Sequence, residues 1–216
     1  FELVDIPLIE YIAKKRKPML MSTGMASFEE IGLAIETARS NGCKELAIFH
    51  CISSYPTPID QSNLRMIEVM RKEFNIQVGL SDHTLGKTAA IVATGLGATL
   101  IEKHLTLSRA DGGVDSEFSL NPLEMKEFIQ GCDEAYKSLG NRTFERTQSE
   151  EGNKIFRRSL YFVSDLKKGE IITEKHVKRI RPGYGIEPRY LHQVIGSRVK
   201  MDVYRGDRVD HNAVDI

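Results

Sequence analysis

The fold of this chain is decided by the stretch Gln77-Val-Gly-Leu-Ser-Asp-His-Thr84, an apolar run that ends abruptly in polar side chains. A short, nearly continuous apolar run is typical of a strand buried on both faces, as in a parallel sheet. Ser81, Asp82 and His83 stand at its carboxyl end, where a sheet built from strand–helix units carries its functional groups. The stretch therefore predicts a strand that delivers polar side chains to one edge of a parallel sheet.

Three further stretches repeat this pattern, so the first 140 residues contain four successive strand–helix units. Helical patterns separate the apolar runs. One begins at Ser27-Phe-Glu-Glu30, where a capping residue precedes an acid by three positions, and two others cover residues 63–74 and 88–96. The last helix starts at Asn121-Pro122 and continues to Gly140. The other strand runs are Pro18-Met-Leu-Met-Ser22, Glu45-Leu-Ala-Ile-Phe-His-Cys51 and Ala98-Thr-Leu-Ile-Glu-Lys-His104.

Successive units of this kind make either a doubly wound sheet or a (β/α)8 TIM barrel. Every strand here ends in polar residues, among them Ser22, His83 and His104, and this is the arrangement of a barrel's active face. A doubly wound sheet gathers such residues at one switch point, usually with a glycine-rich fingerprint, and this sequence has none. Four units make half a barrel with two unpaired sheet edges. We therefore expect the C-terminal half of a longer protein, and expect these 216 residues alone to fold poorly and to be inactive.

A second unit follows the half barrel. Residues 141–155 are polar and lack periodicity, as in a linker, and residues 156–216 form short segments separated by turns, as in a small, mainly β module. Residues 1–151 carry 16 basic and 22 acidic side chains, a net charge of −6, whereas residues 152–216 carry 14 and 8, a net charge of +6. The predicted organisation is a barrel domain over residues 1–140, the linker, and the small domain.

Composition excludes several classes of protein. The chain has 216 residues, a formal net charge of zero and 41% hydrophobic side chains, which is ordinary for a globular protein and argues against disorder. No apolar run approaches the ~20 residues that span a bilayer, so we expect no membrane segment. The zero charge and the lack of basic stretches interleaved with aromatic residues argue against nucleic acid as a partner. Three cysteines, none in a CxxC pair, favour a reducing compartment and thus a cytoplasmic location.

The candidate site residues stand at the strand ends. His83 and His104 lie 21 residues apart on consecutive strands, so they either share a metal ion or only cap their strands by hydrogen bonding. Glu102 shares a strand face with His104 and is either an acid/base or a carboxylate paired with a lysine. Ser22 and Ser81 either hold a phosphate or carboxylate or cap the helices that follow.

Other reactive side chains favour structural roles. His50-Cys51 has no third member of a catalytic or metal-binding set, so we interpret Cys51 as a packing residue. Cys43 and Cys132 are predicted on helical segments, again as packing residues. Arg181, in the sequence Ile180-Arg-Pro-Gly183, either stabilises a turn or binds an anion, and the residues alone do not decide between these roles.

Several strings together resemble the signatures of the sialic acid synthase family. In the first domain they are Lys17-Pro-Met-Leu-Met-Ser-Thr-Gly-Met25, His50-Cys-Ile-Ser-Ser-Tyr-Pro56, Gly79-Leu-Ser-Asp-His-Thr84 and Ile101-Glu-Lys-His104. The tail is similar to the family's C-terminal antifreeze-like (SAF) domain, and the strings that carry this likeness are Lys168-Gly-Glu-Ile-Ile-Thr173 and Ile180-Arg-Pro-Gly183.

The resemblance implies a transferase that condenses phosphoenolpyruvate with an N-acetylated amino sugar, giving a nine-carbon 2-keto acid and phosphate. It implies a divalent metal, commonly Mn²⁺, and a homodimer in which each SAF domain covers the partner's active site. The implied metal ligands are His83 and His104, with Glu102 near the metal and its water. The implied substrate-binding residues are Ser22, Ser53 and Ser81 for phosphoenolpyruvate, Ser53 standing where the family usually has Asn, then Tyr55 and Asp115 for the sugar, and Arg181 reaching into the partner's site.

The segment at residues 109–122 is more similar to the pseudaminic acid synthases than to the N-acetylneuraminate synthases, which usually have Gly-Pro-Asp in place of Gly113-Val-Asp115. Pseudaminic acid synthase is therefore the expected activity, with N-acetylneuraminate or legionaminate synthase as the alternative. Two other hypotheses stay open. One is a different metal-dependent barrel enzyme, such as an aldolase. It would use a Schiff-base lysine, for which Lys103 is the one candidate at a strand end, or turn over without releasing phosphate. The other is a non-catalytic carbohydrate-binding module built around the basic tail.

Overall fold

A four-stranded parallel sheet forms in the order in which its strands occur along the chain, β1-β2-β3-β4. The structure is a computed structural model that describes residues 1–216, and it divides into two units, residues 1–141 and 142–216. Helices alternate with strands throughout the first unit. Its elements are α1 (Ile6–Ala13), β1 (Met19–Ser22), α2 (Phe28–Ser40), β2 (Leu46–Cys51), α3 (Met66–Phe74), β3 (Gln77–Asp82), α4 (Thr88–Gly95), β4 (Ile101–Lys103) and α5 (Pro122–Ser138).

One face of the sheet packs against the helices. Met21 lies opposite Ile48, and Ile48 lies opposite Val78, so apolar side chains of neighbouring strands form a continuous layer. Residues of α2 and α3, among them Ile35 and Ile67, complete this core. The opposite face is open at β1, where Leu20 is 57% exposed. The prediction of four consecutive strand–helix units is confirmed.

Two helices start at the residues that the sequence indicates. At α2 the Glu30 amide donates to Ser27 Oγ (3.2 Å) and the Ser27 amide donates to the Glu30 carboxylate (2.7 Å). Asn121 and Glu124 make the same reciprocal pair at the start of α5, with Pro122 in the first turn. Each pair satisfies two backbone donors that the first helical turn leaves free, and so fixes where the helix begins.

The structure corrects two details. The helix expected from residue 63 begins at Met66, because Asn63 has a φ of +44° and cannot lie within a right-handed helix. Cys43, expected on a helical segment, lies in the loop after α2. The helix ends at Ser40 and Gly42 then adopts a φ of +101°, a conformation that glycine tolerates. Cys43 is nevertheless buried in the core, as its packing role requires.

The second unit is small and mainly β. Strands β5 (Ser159–Phe162) and β6 (Val177–Ile180) pair antiparallel, and isolated bridges join several further segments. Two single-turn helices occur, α6 (Gln148–Glu151) within the stretch predicted as a linker and α7 (Leu191–Val194). No helix of either unit has both the length and the apolar character needed to cross a membrane. The fully buried core of this unit consists of Leu160, Phe162, Ile172, Val194, Val199, Val209 and Val214.

Candidate active site

Two histidines meet at the carboxyl edge of the sheet. His83 directly follows β3 and His104 follows β4, and their ring centroids lie 5.3 Å apart. His83 is buried, whereas the His104 side chain is one-third exposed. The juxtaposition that the spacing predicted is present, because neighbouring parallel strands end at the same edge.

In each of the two imidazoles, Nδ1 has a partner within the chain and Nε2 has none. His83 Nδ1 donates to the Ile52 carbonyl at 3.1 Å, and His104 Nδ1 lies 3.5 Å from the Asp115 carboxylate. Neither Nε2 atom makes a hydrogen bond within the chain. An imidazole whose Nδ1–H is held by a carbonyl or carboxylate presents an unprotonated Nε2, the form that binds a metal ion.

The donor set therefore fits a divalent cation with two protein nitrogens. No group of three or more His, Cys, Asp or Glu side chains is arranged to hold a metal ion. An ion held by His83 and His104 would complete its shell with water or substrate oxygen, as a catalytic ion with open positions does.

An aromatic wall lies beside the histidines. The Tyr55 ring packs on His83 with a centroid distance of 4.2 Å, and it also contacts Phe118 at 5.8 Å. Phe118 in turn packs edge-on against His104 at 5.2 Å. Phe118 was not predicted from the sequence. It comes from the segment before α5, and the only sequence signal was a single aromatic residue, three positions after Asp115, in a polar stretch.

Glu102 and Ser81 form a pair on the open face of the sheet. They are register partners on β3 and β4, and Ser81 Oγ donates to Glu102 Oε1 at 2.7 Å. Glu102 is exposed and Ser81 is buried. Glu102 is not paired with a lysine, so the structural alternative considered for this carboxylate is wrong. The pair joins a candidate phosphate-binding hydroxyl to a candidate acid/base.

Cys51 ends β2 beside the hydroxyl groups of Ser22 and Ser53. Burial raises the pKa of its thiol, but hydrogen bonds with His83, Ser22 and Ser53 together outweigh burial, so the pKa is lowered. Burial lowers the pKa of His83, yet its bonds to Cys51 and to the Ile52 carbonyl raise it on balance. Cys51 thus has polar contacts inside the site in addition to its packing role.

Gly24 has no side chain, and this allows Cys51, Ser22 and Ser53 to lie close together. A Cβ atom there would lie 2.2 Å from Ser53 Oγ and 3.2 Å from Cys51 Sγ. The strand-end segment after β1 can therefore approach the loop after β2 closely enough to gather the three candidate phosphoenolpyruvate-binding serines on neighbouring strand ends.

His50 points away from this cluster. Its Nε2 lies 2.8 Å from the Ser62 carbonyl, and burial lowers its pKa against the opposing effect of that bond. The alternation of side chains along β2 places His50 and Cys51 on opposite faces of the sheet. The pair His50-Cys51 therefore does not form a catalytic or metal-binding dyad.

Lys103 is buried on the helix side of the sheet. Its Nζ lies 3.0 Å from Asp82 Oδ2, and the side chain is 2% exposed. An amine held in a buried ion pair, on the face of the sheet opposite Glu102, is not available to form a Schiff base. This position argues against an aldolase that uses a Schiff-base lysine.

Asp115 contacts the site through His104, as described above. Arg181 belongs to the second unit and is exposed directly after β6. The first unit therefore gathers eight of the nine candidate residues at the ends of its strands and in the adjoining loops: Ser22, Ser53, Tyr55, Ser81, His83, Glu102, His104 and Asp115.

Comparison with known families gives two matches along the chain. Residues 1–144 match the NeuB family, and residues 157–210 match the SAF domain. The two matches occur in the order expected for a synthase barrel followed by an antifreeze-like domain.

Curated relatives cover nearly the whole chain. A pseudaminic acid synthase from Campylobacter jejuni subsp. jejuni is 37% identical over 96% of this chain and 60% of its own length. An N,N'-diacetyllegionaminic acid synthase from Legionella pneumophila is 34% identical over 95% of this chain and 59% of its own length. The chain therefore spans about 60% of the length of the curated relatives it matches.

A solved structure agrees with these matches. The spore coat polysaccharide biosynthesis protein SpsE from Bacillus subtilis is 30% identical and superposes with a TM-score of 0.62, covering 100% of this chain and 66% of that one. The matches confirm the predicted fold class, the C-terminal half of a TIM barrel followed by a small SAF domain.

Proposed function

This chain belongs to the NeuB family, the sialic acid synthase family that its motifs resemble, and on that premise we propose that it supplies the active-site half of a transferase. The proposed reaction condenses phosphoenolpyruvate with an N-acetylated amino sugar and releases phosphate. The observation that carries the proposal is the pair of imidazoles 5.3 Å apart with both Nδ1 atoms engaged, next to the Ser81–Glu102 pair.

His83 and His104 are the proposed ligands of a divalent cation, with Mn²⁺ the first candidate. When bound, such an ion would act as a Lewis acid toward the aldehyde of the open-chain sugar. The chain's own contribution is orientation. The Ile52 carbonyl and the Asp115 carboxylate hold the two rings, and Tyr55 and Phe118 limit their rotation by packing.

The serine cluster is the proposed site for phosphoenolpyruvate. The hydroxyls of Ser22 and Ser53 would donate hydrogen bonds to phosphate or carboxylate oxygens, and Ser81 would do so once its single O–H turns from Glu102 to the ligand. These bonds fix the face of the enol carbon presented to the aldehyde. A carbon–carbon bond then forms between that methylene carbon and the aldehyde carbon, and the aldehyde oxygen takes up a proton to become a hydroxyl. Water adds to the neighbouring, electron-deficient carbon with loss of a proton, and the adduct forms its keto group as the C–O bond to phosphate breaks.

Glu102 is the proposed acid/base. A carboxylate on the open face of the sheet, two residues before His104, can accept the proton of the attacking water. Ser81 holds one of its oxygens at 2.7 Å and so fixes the rotation of the carboxylate. The other oxygen makes no hydrogen bond within the chain, and the side chain is exposed.

Pseudaminic acid synthase is the activity we propose within the family. The support is the 109–122 segment, in which Gly113-Val-Asp115 stands where N-acetylneuraminate synthases usually have Gly-Pro-Asp. Relatives named for pseudaminic and for legionaminic acid have similar identities, 37% and 34%, so identity alone does not choose the sugar. Tyr55 and Asp115 are the proposed sugar contacts.

Arg181 and the second unit complete the proposal. The exposed Arg181 after β6 is the proposed contact with the sugar's acyl group in the partner subunit of a homodimer. The opposite net charges of residues 1–151 and 152–216, −6 and +6, would favour such an exchange of domains between subunits.

The test is phosphate release from phosphoenolpyruvate by the intact protein, supplied with Mn²⁺ and with the pseudaminate, legionaminate and neuraminate precursors in parallel. The largest kcat/KM is expected with the pseudaminate precursor. His83→Ala and His104→Ala should abolish turnover while circular dichroism stays unchanged, and His211→Ala, an exposed histidine of the second unit, is the matched control.

Two outcomes would contradict the proposal. Carbon–carbon bond formation that persists in both variants would remove the metal role of the histidines. Sugar binding that persists after chelation of metal, without turnover of any precursor, would favour the carbohydrate-binding module instead.

A further inference from the structure

A buried ion pair ties the ends of β3 and β4 together. Lys103 Nζ lies 3.0 Å from Asp82 Oδ2, and the two side chains are 2% and 0% exposed. Lys103 also donates to the Thr84 carbonyl. The second carboxylate oxygen of Asp82 accepts from the Thr84 amide at 2.9 Å and from the Thr84 hydroxyl at 2.8 Å. Both oxygens of Asp82 and two of the three N–H donors of Lys103 are therefore engaged.

The position of this pair relates it to the histidines. Asp82 immediately precedes His83, and Lys103 immediately precedes His104. The parallel pairing of β3 with β4 ends with Asp82 opposite Lys103, so the regular ladder stops one residue before the imidazoles. The ion pair is thus the last side-chain bridge between the two strands before the histidines.

Stability alone is a weak reason for such a pair. Removing two charges from water costs free energy that their attraction only partly restores, and well-packed apolar residues of similar size are often as stabilising. What distinguishes this pair from apolar packing is that its hydrogen bonds require one defined geometry. It fixes the register and spacing of two backbone segments, while Thr84 closes the turn that follows His83.

We infer that the Asp82–Lys103 pair positions the metal site: it sets the separation of the His83 and His104 imidazoles and thereby the affinity for a divalent cation. The inference rests on the proposed role of the two histidines. His83 has further supports, because its carbonyl accepts from the Thr57 amide at 2.9 Å and its ring is held by the Ile52 carbonyl. Those contacts support His83 alone, whereas the ion pair joins the strand that carries His83 to the strand that carries His104 at the two residues immediately before the imidazoles.

The experiment measures Mn²⁺ binding directly in the intact protein, from the electron paramagnetic resonance signal of free Mn²⁺. The principal variant is Asp82→Asn combined with Lys103→Met. It removes both charges together, keeps the acceptor for Thr84 and fills the volume of the lysine stem. We expect Mn²⁺ affinity to fall roughly 10-fold or more, as is common when groups that orient metal ligands are changed. KM for phosphoenolpyruvate at saturating Mn²⁺ should change much less.

A second variant and a control separate positioning from stability. Lys103→Arg keeps the cation but changes its reach, so we expect a folded protein with weakened Mn²⁺ binding. Ile35→Ala opens the same sheet–helix layer on α2, away from the strand ends, and should lower the thermal midpoint without changing Mn²⁺ affinity. If Ile35→Ala weakens Mn²⁺ binding as much as the double variant does, the pair has only a structural role.

The two hypotheses fail in different ways. Mn²⁺ binding that is unchanged in His83→Ala and His104→Ala would remove the proposed metal site itself. Loss of binding in those variants, with wild-type affinity in both the double variant and Lys103→Arg, would overturn the positioning role and leave the metal site intact.

Discussion

At the scale of single residues, the site is organised around two rings whose surroundings differ. His83 is buried and is held by Ile52, Tyr55 and Cys51, whereas His104 is partly exposed and contacts Asp115 and Phe118. The buried ring has little freedom to move, so small adjustments on ligand binding fall to His104 and its neighbours.

Phe118 is expected to shape the sugar side of the site. Phe118→Leu keeps the position apolar but removes edge-on packing on His104, a type of contact worth about 0.5–1.5 kcal/mol. We expect KM for the amino sugar to rise roughly 2- to 10-fold by the same estimate, measured by steady-state kinetics. Phe128→Leu, equally buried but on α5, is the control. Equal increases in both variants would assign the effect to general loosening.

Glu102 is expected to act in the chemical step. Glu102→Gln keeps an oxygen that can accept from Ser81 but removes the basic group, so kcat should fall by about 10²- to 10⁴-fold. KM for phosphoenolpyruvate should stay near its original value. Glu36→Gln, on the exposed side of α2, serves as the matched carboxylate control. A Glu102→Gln protein with unchanged kcat would exclude the acid/base role.

At the scale of elements, the strands and helix starts could be predicted because they depend on local chemistry. The apolar runs are short and uninterrupted, and Ser27-Phe-Glu-Glu30 carries its own cap, so neither needs knowledge of distant contacts. The juxtaposition of His83 and His104 also followed, since parallel strands end together. The Asp82–Lys103 pair and the placement of Phe118 depend on which layer each side chain enters, and no local pattern specifies this. The helix ends were missed where Gly42 and Asn63 adopt positive φ.

The cap of α2 gives a prediction at this scale. Ser27→Ala removes the hydroxyl that accepts from the Glu30 amide, so the free energy of unfolding should fall by about 1 kcal/mol. Ser27→Asn, which preserves an acceptor, should restore most of the loss. Urea denaturation followed by circular dichroism measures both. An alanine variant as stable as the parent would show that the reciprocal Ser27–Glu30 hydrogen bonds contribute nothing measurable to the stability of this helix.

At the scale of the whole molecule, two units with separate cores are joined by an exposed segment. The core of the first unit is formed by the sheet and its helices, and that of the second by β5, β6 and the bridged segments. Every residue from 136 to 158 is exposed, and Phe144 is completely accessible. Since the opposite net charges also divide near this segment, each unit carries its own charge as well as its own core.

Limited proteolysis should locate this junction. A low concentration of chymotrypsin is expected to cut first after Phe144, because the surrounding backbone makes few contacts with either core. Mass spectrometry of the earliest fragments identifies the site. Phe144→Ser should slow that first cut. The matched control is Phe156→Ser, which removes another exposed phenylalanine and should leave the first cut at residue 144 unchanged. Phe162→Ser is not a suitable control, because Phe162 is buried in β5 and its loss would unfold the second unit. First cleavage inside β2 or β3 would contradict the division of the chain into two units joined by an exposed segment.

The open edges of the parallel sheet carry a consequence for association. β1 and β4 each have one neighbouring strand, so each leaves a row of backbone donors and acceptors facing outward. Such a row is a template for strand addition. Strands added at β1 and at β4 would continue the sheet and could close it into a barrel, whose ring of strands has no edge. Because the added strands would pair through backbone groups, the histidine cluster at the ends of β3 and β4 would keep its place.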